Sequence, residues 1–134
     1  MEKEDNIRWK QRFQNFGKAL HFLENAIKIE SPDITQKAGL IQFFEISFEL
    51  SWKLLKDYLE EQGFKDIRSP KDSIKTAYEI GLINNGHTWL EALNDRNLTS
   101  HTYDEVLADK VIMEIIQNYY PLLNHLFKKL NSEN

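Results

Sequence analysis

Residues 37–62 read KAGLIQFFEISFELSWKLLKDYLEEQ. Apolar side chains recur here at helical spacing along two adjacent stripes, which predicts a helix that is buried on two sides. The first stripe consists of Ile41, Phe48, Trp52, Leu55 and Leu59, and the second of Phe43, Ile46, Leu50 and Leu54. The helix is either the central core helix of a monomer or a bundle helix whose second side is covered in a dimer. Gly63 is expected to end it.

The segments on either side of this stretch each carry a single apolar stripe, with spacings that alternate between four and three residues. The early stripe is Trp9, Phe13, Phe16, Leu20, Leu23 and Ile27, and the late stripe is Ala108, Ile112, Ile115, Tyr119, Leu122 and Leu126. Such seams are typical of antiparallel helices in a bundle. No strand-like alternation occurs, so the predicted fold class is all-α.

The connections carry their own signals. Ser31-Pro32-Asp33 separates the first two helices, and Ser69-Pro70-Lys71-Asp72 reads as a helix cap followed by a third helix that ends near Gly81. Asn84-Asn85-Gly86 is a predicted turn, after which Thr88 is expected to cap a short extra helix through Leu93. Pro121 is expected to kink the final helix.

Composition bounds the function. The chain has 134 residues, which suits one domain over residues 1–134, and it has no cysteine, which excludes disulfides and thiolate metal sites. No apolar run approaches the roughly 18 residues of a membrane span, and the opening residues MEKEDNIRWK are charged, so we expect a cytoplasmic protein without a membrane segment. The formal net charge of −4 argues against a wholly basic nucleic-acid surface.

One polar segment stands out, residues 95–104, which read DRNLTSHTYD. Arg96 and His101 are five residues apart and would diverge by about 140° on an ideal helix. They converge only if the backbone breaks between them or if a second chain completes the site. Thr99 and Ser100 are weak helix formers, which makes a break plausible. Asn97 and His101 share a face in either case.

Arg96 and His101 suit phosphodiester chemistry. A guanidinium holds phosphate and stabilises the charge that develops on it, while an imidazole takes or returns a proton near neutral pH. Such cleavage requires no metal or cofactor. The alternative reading is structural: Arg96 pairs with a carboxylate such as Glu45 or Asp104, and His101 caps a helix.

Two carboxylates on the second helix have a similar pair of readings. Glu45 and Glu49 are either a general acid/base pair or structural, with Glu49 bound to Lys53 at i,i+4 and Glu45 to a base across the bundle. The other histidines, at positions 21, 87 and 125, have no metal-ligand spacing.

Taken together, several segments resemble the nucleotidyltransferase substrate-binding proteins, a family of the HEPN superfamily of small bacterial and archaeal helical bundles. The resemblance covers the chain from Phe13 to Leu126. It is carried by FFEISFELSWKLLKDYL at residues 43–59, Ser69-Pro70 with Ile74-Lys75, Gly81-Leu82-Ile83, Trp89, and RNLTSHTYDE at residues 96–105.

The resemblance implies an up-and-down four-helix bundle that forms a homodimer and binds a minimal nucleotidyltransferase. The chain itself lacks the Gly-Ser and paired-Asp motif of such a transferase. In related HEPN toxins an Arg, four further residues and a His form a metal-independent ribonuclease site across the dimer. Carried over, Arg96 stabilises the transition state, Asn97 is the polar residue after it, and His101 is the acid/base. A Tyr two residues after the His can be adenylylated by the transferase, and Tyr103 matches it.

Three functional hypotheses follow. The first makes this chain the helical subunit of a two-component nucleotidyltransferase–HEPN pair of toxin–antitoxin type, presenting a substrate or serving as the target. The second makes it a ribonuclease that uses Arg96, Asn97 and His101, with Glu45 and Asp104 in support and RNA or a nucleotide in the dimer cleft. The third is a purely structural helical dimer.

Overall fold

The computed structural model describes residues 2–101 and 104–133, with side chains described for residues 9–101 and 104–132. Six α-helices occur in chain order, and no strand occurs in the residues so described. The helices are α1 (Glu2–Ile27), α2 (Ile34–Glu61), α3 (Pro70–Glu79), α4 (Gly86–His101), α5 (Glu105–Glu114) and α6 (Tyr120–Glu133). A π-helical turn, Ile115–Tyr119, joins α5 to α6 in one continuous rod. The all-α prediction is confirmed.

Contacts between helices show an up-down-up-down bundle of α1, α2, α4 and the α5–α6 rod. In an antiparallel pair, residue numbers rise on one helix as they fall on the other, and in a parallel pair they rise together. Helices α1 and α2 are antiparallel, with the contacts Arg12–Asp57 and Phe22–Phe43. Helices α2 and α4 are also antiparallel, with the contacts Glu49–Arg96 and Glu45–Thr99. The rod is parallel to α2, with the contacts Lys37–Asp109 and Phe44–Tyr119.

Helix α2 is the central element, because it packs against every other helix. Its first stripe and Leu54 of its second are largely buried, together with Phe44, which belonged to neither predicted stripe. The rest of the second stripe is not covered: Phe43 and Leu50 are half-buried and Ile46 is 42% exposed. Helix α2 is therefore the central helix of this bundle, and the open part of its second face is the part that the dimer reading would cover; the homodimer stays a prediction.

Local signals placed the ends of α2 and α3. Asp33 caps α2 by accepting from the Gln36 amide (2.8 Å), and α2 begins three residues before the predicted Lys37. Ser69 caps α3 in the same way through the Asp72 amide (3.1 Å). Gly63 and Gly81 follow these helices with φ of 98° and 78°, which glycine adopts without strain.

The region after the Asn84-Asn85 turn differs from the expectation. The Trp89 amide donates to the Asn85 carbonyl (3.1 Å), so α4 begins at Gly86 and Thr88 lies inside its first turn rather than capping it. The helix then runs for 16 residues and includes residues 95–101 of the polar segment. The short extra helix of the bundle is therefore α3, which has ten residues.

The buried face of the final rod differs from the prediction at one position. The prediction placed Leu122 on the buried stripe, but Leu123 is 1% exposed and Leu122 is only half-buried. The step after Tyr119 is therefore four residues instead of three, and Leu126 is buried as predicted. Pro121 lies just after the π-helical turn, and the hydrogen bond it cannot donate would have gone to Gln117, within that turn.

No helix among the described residues combines the length and the apolar character that a bilayer span requires.

Candidate functional site

Residues 95–101 of the polar segment lie on an unbroken helix. Helix α4 continues from Gly86 to His101, so of the two ways for Arg96 and His101 to converge, a break in the backbone between them does not occur. Instead of competing with the helix, the Ser100 hydroxyl donates to the Asn97 carbonyl within it (3.1 Å). Arg96 and His101 therefore point in directions about 140° apart.

Arg96 is held by a carboxylate of α2. Its Nη2 contacts Glu49 Oε2, and its Nη1 donates to Asn97 Oδ1 (3.0 Å). The Arg96 and Glu49 side chains are only 24% and 31% exposed. The structural alternative foresaw such a pair but named Glu45 or Asp104 as the partner.

Glu49 is surrounded by donors. Trp52 Nε1 donates to its Oε2 (3.0 Å), and Lys53 Nζ lies 3.4 Å from its Oε1, as the i,i+4 reading expected. Burial tends to raise the pKa of Glu49. The Trp52 hydrogen bond and the charges of Arg96 and Lys53 outweigh burial, and they hold the pKa below its ordinary value. Glu49 is therefore a carboxylate at neutral pH.

The second carboxylate lies one turn earlier on α2. Thr99 Oγ1 donates to Glu45 Oε2 (2.8 Å), so Glu45 meets a hydroxyl across the bundle, not a base. Glu45 and Glu49 thus face Thr99 and Arg96 across the α2–α4 contact. Glu45 and Glu49 are four residues apart and Arg96 and Thr99 are three apart, so each pair is visible in the sequence as sharing a helix face. The sequence does not show that the two pairs meet.

A cleft of about 520 Å³ opens beside this contact. Two helices supply its lining: Glu45, Ile46, Glu49 and Leu50 from α2, and Arg96, Asn97, Ser100 and His101 from α4. His101 is exposed. The predicted trio Arg96, Asn97 and His101 therefore lines a single cleft. An arginine has five N–H donors, so the guanidinium keeps donors for an anion while Glu49 and Asn97 hold it.

Two predicted site residues lie elsewhere. Asp104 is the N-cap of α5, where its Oδ1 accepts from the Val106 amide (3.2 Å), and it is not among the residues that line the cleft. Tyr103 lies outside the described residues.

A buried tyrosine of the rod, which the sequence placed on the apolar stripe but not among the site residues, forms a hydrogen bond to α4. Tyr119 OH donates to Asp95 Oδ2 (2.5 Å), and its ring stacks on Phe44 at 5.4 Å. Burial and the neighbouring Asp95 carboxylate raise the pKa of Tyr119, so it stays a hydrogen-bond donor. Asp95 precedes Arg96 directly, and this bond therefore constrains the part of α4 that carries the site.

Within the described ranges, 2–101 and 104–133, no group of three or more histidine or acidic side chains is arranged to hold a metal ion.

Comparison with known proteins identifies the family. The model of the family described as "Nucleotidyltransferase substrate binding protein like" matches residues 11–132. The chain belongs to this family. The match runs from the early part of α1 to the end of α6 and so includes all the residues of the cleft.

Relatives of this family member are known from curated sequences and solved structures. A Haemophilus influenzae protein named "Probable ribonuclease HepT" is 37% identical over 97 residues, which cover 63% of this chain; the chain spans 62% of that relative's length. A crystal structure of a Thermus thermophilus protein is 32% identical, with a TM-score of 0.74 over 88% of this chain and 97% of that one.

The same fold occurs in more distant structures. Crystal structures of a mutant of the toxin–antitoxin MntA-HpeT and of a toxin–antitoxin with AMP-PNP each match with a TM-score of 0.78 at 13% identity, over 92% of this chain and 97% of the other. At that identity the likeness concerns the fold.

Proposed function

We propose that this chain is the helical HEPN subunit of a two-component pair of toxin–antitoxin type, whose other subunit is a minimal nucleotidyltransferase. The main support is the family match over residues 11–132, which spans the whole bundle. In this role the chain binds the transferase and presents a substrate to it or is itself modified. The names of the relatives agree with such a pair.

Co-purification tests the partnership. A minimal nucleotidyltransferase from the same organism is co-expressed with the tagged chain, and the mixture is passed over a sizing column at micromolar concentration. We expect the two proteins to elute together. Separate elution of two folded proteins would contradict the proposal. An unrelated nucleotidyltransferase expressed in the same way is the control for non-specific capture.

A second function is favoured by one observation, the shared cleft of Arg96, Asn97 and His101. In this proposal a homodimer is a metal-independent ribonuclease. The divergence of Arg96 and His101 on one helix is the reason to involve a second copy: Arg96 of one protomer and His101 of the other would act on the same phosphate. The RNA strand would then lie in the cleft between the two copies.

The cleavage step uses the ribose of the substrate. The 2′-hydroxyl attacks the adjacent phosphorus, His101 takes the hydroxyl proton, and the bond to the 5′-oxygen breaks. The proton returned by a histidine goes to that leaving oxygen, and the product ends are a 2′,3′-cyclic phosphate and a 5′-hydroxyl. Arg96 stabilises the charge on the phosphorane-like transition state.

RNA cleavage in EDTA tests this second function. We expect the wild type to cut single-stranded RNA and His101→Ala to lose about 10²-fold or more of the rate. His87→Ala is the matched control, because His87 is an exposed histidine on the same helix and lies outside the cleft. Equal cleavage by all three proteins would exclude His101 from the chemistry.

Tyr103 is proposed as the residue on which the transferase acts. Incubation of the complex with ATP and Mg²⁺, followed by mass spectrometry of the peptide that contains Tyr103, is expected to detect added adenylate. Tyr103→Phe is expected to abolish the addition, whereas Tyr78→Phe, which alters an exposed tyrosine on α3, leaves it unchanged. Modification of the Tyr103→Phe protein to the same extent would overturn this assignment.

A further inference from the structure

A second cavity, of about 350 Å³, lies near the start of α4. It is enclosed by the loop after α3, the π-helical turn and the first turns of α6, and it shares no residue with the cleft of Arg96. Trp89 in its floor and His101 in the cleft are twelve residues apart on α4, which corresponds to about 18 Å along the helix. It is therefore a separate site.

Most of the polar lining of this cavity consists of carboxamides. Asn84 and Asn85 come from the loop, and Gln117 and Asn118 come from the π-helical turn. Thr88 and His125 complete the polar lining, and no Lys, Arg, Asp or Glu is found among the described residues that line it. Because His125 is the one side chain of this described lining that can carry a charge, the cavity favours an uncharged part of a ligand.

The floor is apolar. Leu82, Ile83 and Trp89 are each at most 6% exposed and present a hydrophobic surface beneath the amides. A small cavity with an apolar floor and a few polar groups is the usual form of a ligand site. Carboxamides offer a donor and an acceptor in one plane, and their complement is a flat ring whose edge carries adjacent donors and acceptors.

Asn118 defines one hydrogen bond that the ligand must supply. Its Nδ2 donates to Glu114 Oε2 (2.9 Å), and because an ionised carboxylate only accepts, the amide nitrogen must be the atom that faces it. The Asn118 Oδ1 is then the atom left to accept from a ligand. Its partner must be an N–H donor on the ring edge, such as an exocyclic amino group.

The π-helical turn positions this wall. Such turns are rare and frequently occur at functional sites. Within this turn Tyr119 is buried, while the adjacent Gln117 and Asn118 are exposed along the cavity.

From these observations we propose that the cavity binds a nucleobase that carries an exocyclic amino group, as in adenosine or cytidine. The base lies on the apolar floor, and its edge bonds to the carboxamides. Affinity for an uncharged base comes mainly from these neutral contacts, so it should depend little on salt. This inference stands without the proposed function, because it requires neither a transferase nor RNA cleavage.

Calorimetric or NMR titration of the full-length chain with adenosine tests the proposal. We expect adenosine to bind with little dependence on salt, and purine riboside, which lacks only the amino group and so has no N–H donor on that ring edge, to bind about tenfold more weakly. Glucose is the control for a sugar site. Absence of adenosine binding, or tighter binding of glucose, would overturn the proposal.

Variants of the carboxamide wall locate the binding. We expect Gln117→Leu and Asn118→Leu each to weaken adenosine binding about tenfold or more. Asn124→Leu is the matched control, because Asn124 belongs to α6 but does not line the cavity. Two wall variants are used so that a folding defect in one, detected by thermal unfolding, leaves the other to decide. Unchanged affinity in a folded wall variant would contradict the assignment.

A final comparison separates two sources of the base. A free nucleoside and a short single-stranded RNA carry the same edge, but only the RNA adds phosphates. If the natural ligand is a base within RNA, an adenine-containing oligonucleotide should bind more tightly than adenosine, and its advantage should shrink as salt rises. If the ligand is a free nucleoside, the oligonucleotide has no such advantage.

Discussion

At the scale of single residues, Glu49 determines the electrostatics of the cleft. It lies on α2 with Trp52 and Lys53 beside it and Arg96 opposite, and together these donors keep it ionised. The pair orients the guanidinium and reduces the net charge of the cleft. An anionic ligand must therefore compete with Glu49 for Arg96, which favours ligands that bring further contacts of their own.

Glu49→Gln is expected to change how stability depends on pH. Because the pKa of Glu49 is lowered on folding, its contribution is complete above the ordinary carboxyl value of 4.5 and is lost as pH falls through the folded value. The variant should be less stable than the wild type at neutral pH by about 1 kcal/mol, and the two should converge in acid. Urea unfolding across pH measures this.

The control for that experiment is Glu60→Gln, which alters an exposed glutamate on the same helix. Its unfolding free energy should follow the wild type at every pH. A constant difference between the wild type and Glu49→Gln down to acid pH would mean that the charge of Glu49 is not what stabilises the folded chain.

Tyr119 is the second residue that decides local stability. Tyr119→Phe keeps the ring stacked on Phe44 but leaves the half-buried Asp95 without its donor. We expect a loss of about 1–3 kcal/mol in the free energy of unfolding, measured by urea denaturation. Tyr78→Phe on the exposed face of α3 is the control and should cost far less. A loss no larger than that of the control would contradict the role of the hydroxyl.

At the scale of helices, two glycines on helical backbone have opposite surroundings. A Cβ on Gly17 of α1 would lie 2.9 Å from Phe127 Cε1 of α6, and Phe127 is itself stacked on Phe13 at 4.8 Å. A Cβ on Gly39 of α2 would meet nothing within 4 Å. Gly17 therefore permits the close approach of α1 and α6, whereas no described residue packs against the Gly39 position.

We therefore expect Gly39→Ala to raise the free energy of unfolding by about 1 kcal/mol, because alanine favours the helix. Gly17→Ala gains the same propensity but forces Phe127 out of its stack at a cost of about 1–3 kcal/mol, so it should give no net gain or a loss. Chemical denaturation of both variants checks the difference. If Gly17→Ala and Gly39→Ala raised the free energy of unfolding equally, Phe127 would have moved aside without a loss of stability, which contradicts the prediction.

At the scale of the whole molecule, an apolar strip remains uncovered beside the cleft. Phe22 is 52% exposed and stacks on Phe43 at 5.5 Å, and Ile46 and Leu50 continue the strip to the cleft wall. The homodimer expected from the family resemblance would cover a surface of this kind and would bring the two clefts together. It stays a prediction of the sequence.

Ile46→Glu tests that dimer. Loss of one isoleucine from each copy should cost about 2 kcal/mol of association or more and raise the dimer Kd at least about thirtyfold. Sedimentation measures the mass across protein concentration. Ile80→Glu is the matched control, with a similarly exposed isoleucine (44%) at the end of α3. A monomeric wild type would contradict the homodimer, and equally stable dimers of both variants would place the contact elsewhere.

Local patterns in the sequence were sufficient for the buried face of α1 and for the caps of α2 and α3. The stripe from Trp9 to Leu23 is buried as predicted, and Asp33 and Ser69 cap α2 and α3. Helical periodicity and capping involve residues a few positions apart, so the interactions that decide them are legible in the order of the residues. The family was recognisable for the same reason, because its motifs are short and ordered along the chain.

Only the tertiary structure decided the partners in the cleft. Glu49 and Arg96 are 47 residues apart, and α4 stays unbroken through Thr99 and Ser100 because their hydroxyls bond to Glu45 and to the helix itself. The burial of Leu123 in place of Leu122 was likewise not legible in the apolar pattern. Side-chain pairing across helices depends on their rotation and height in the bundle, and packing sets these.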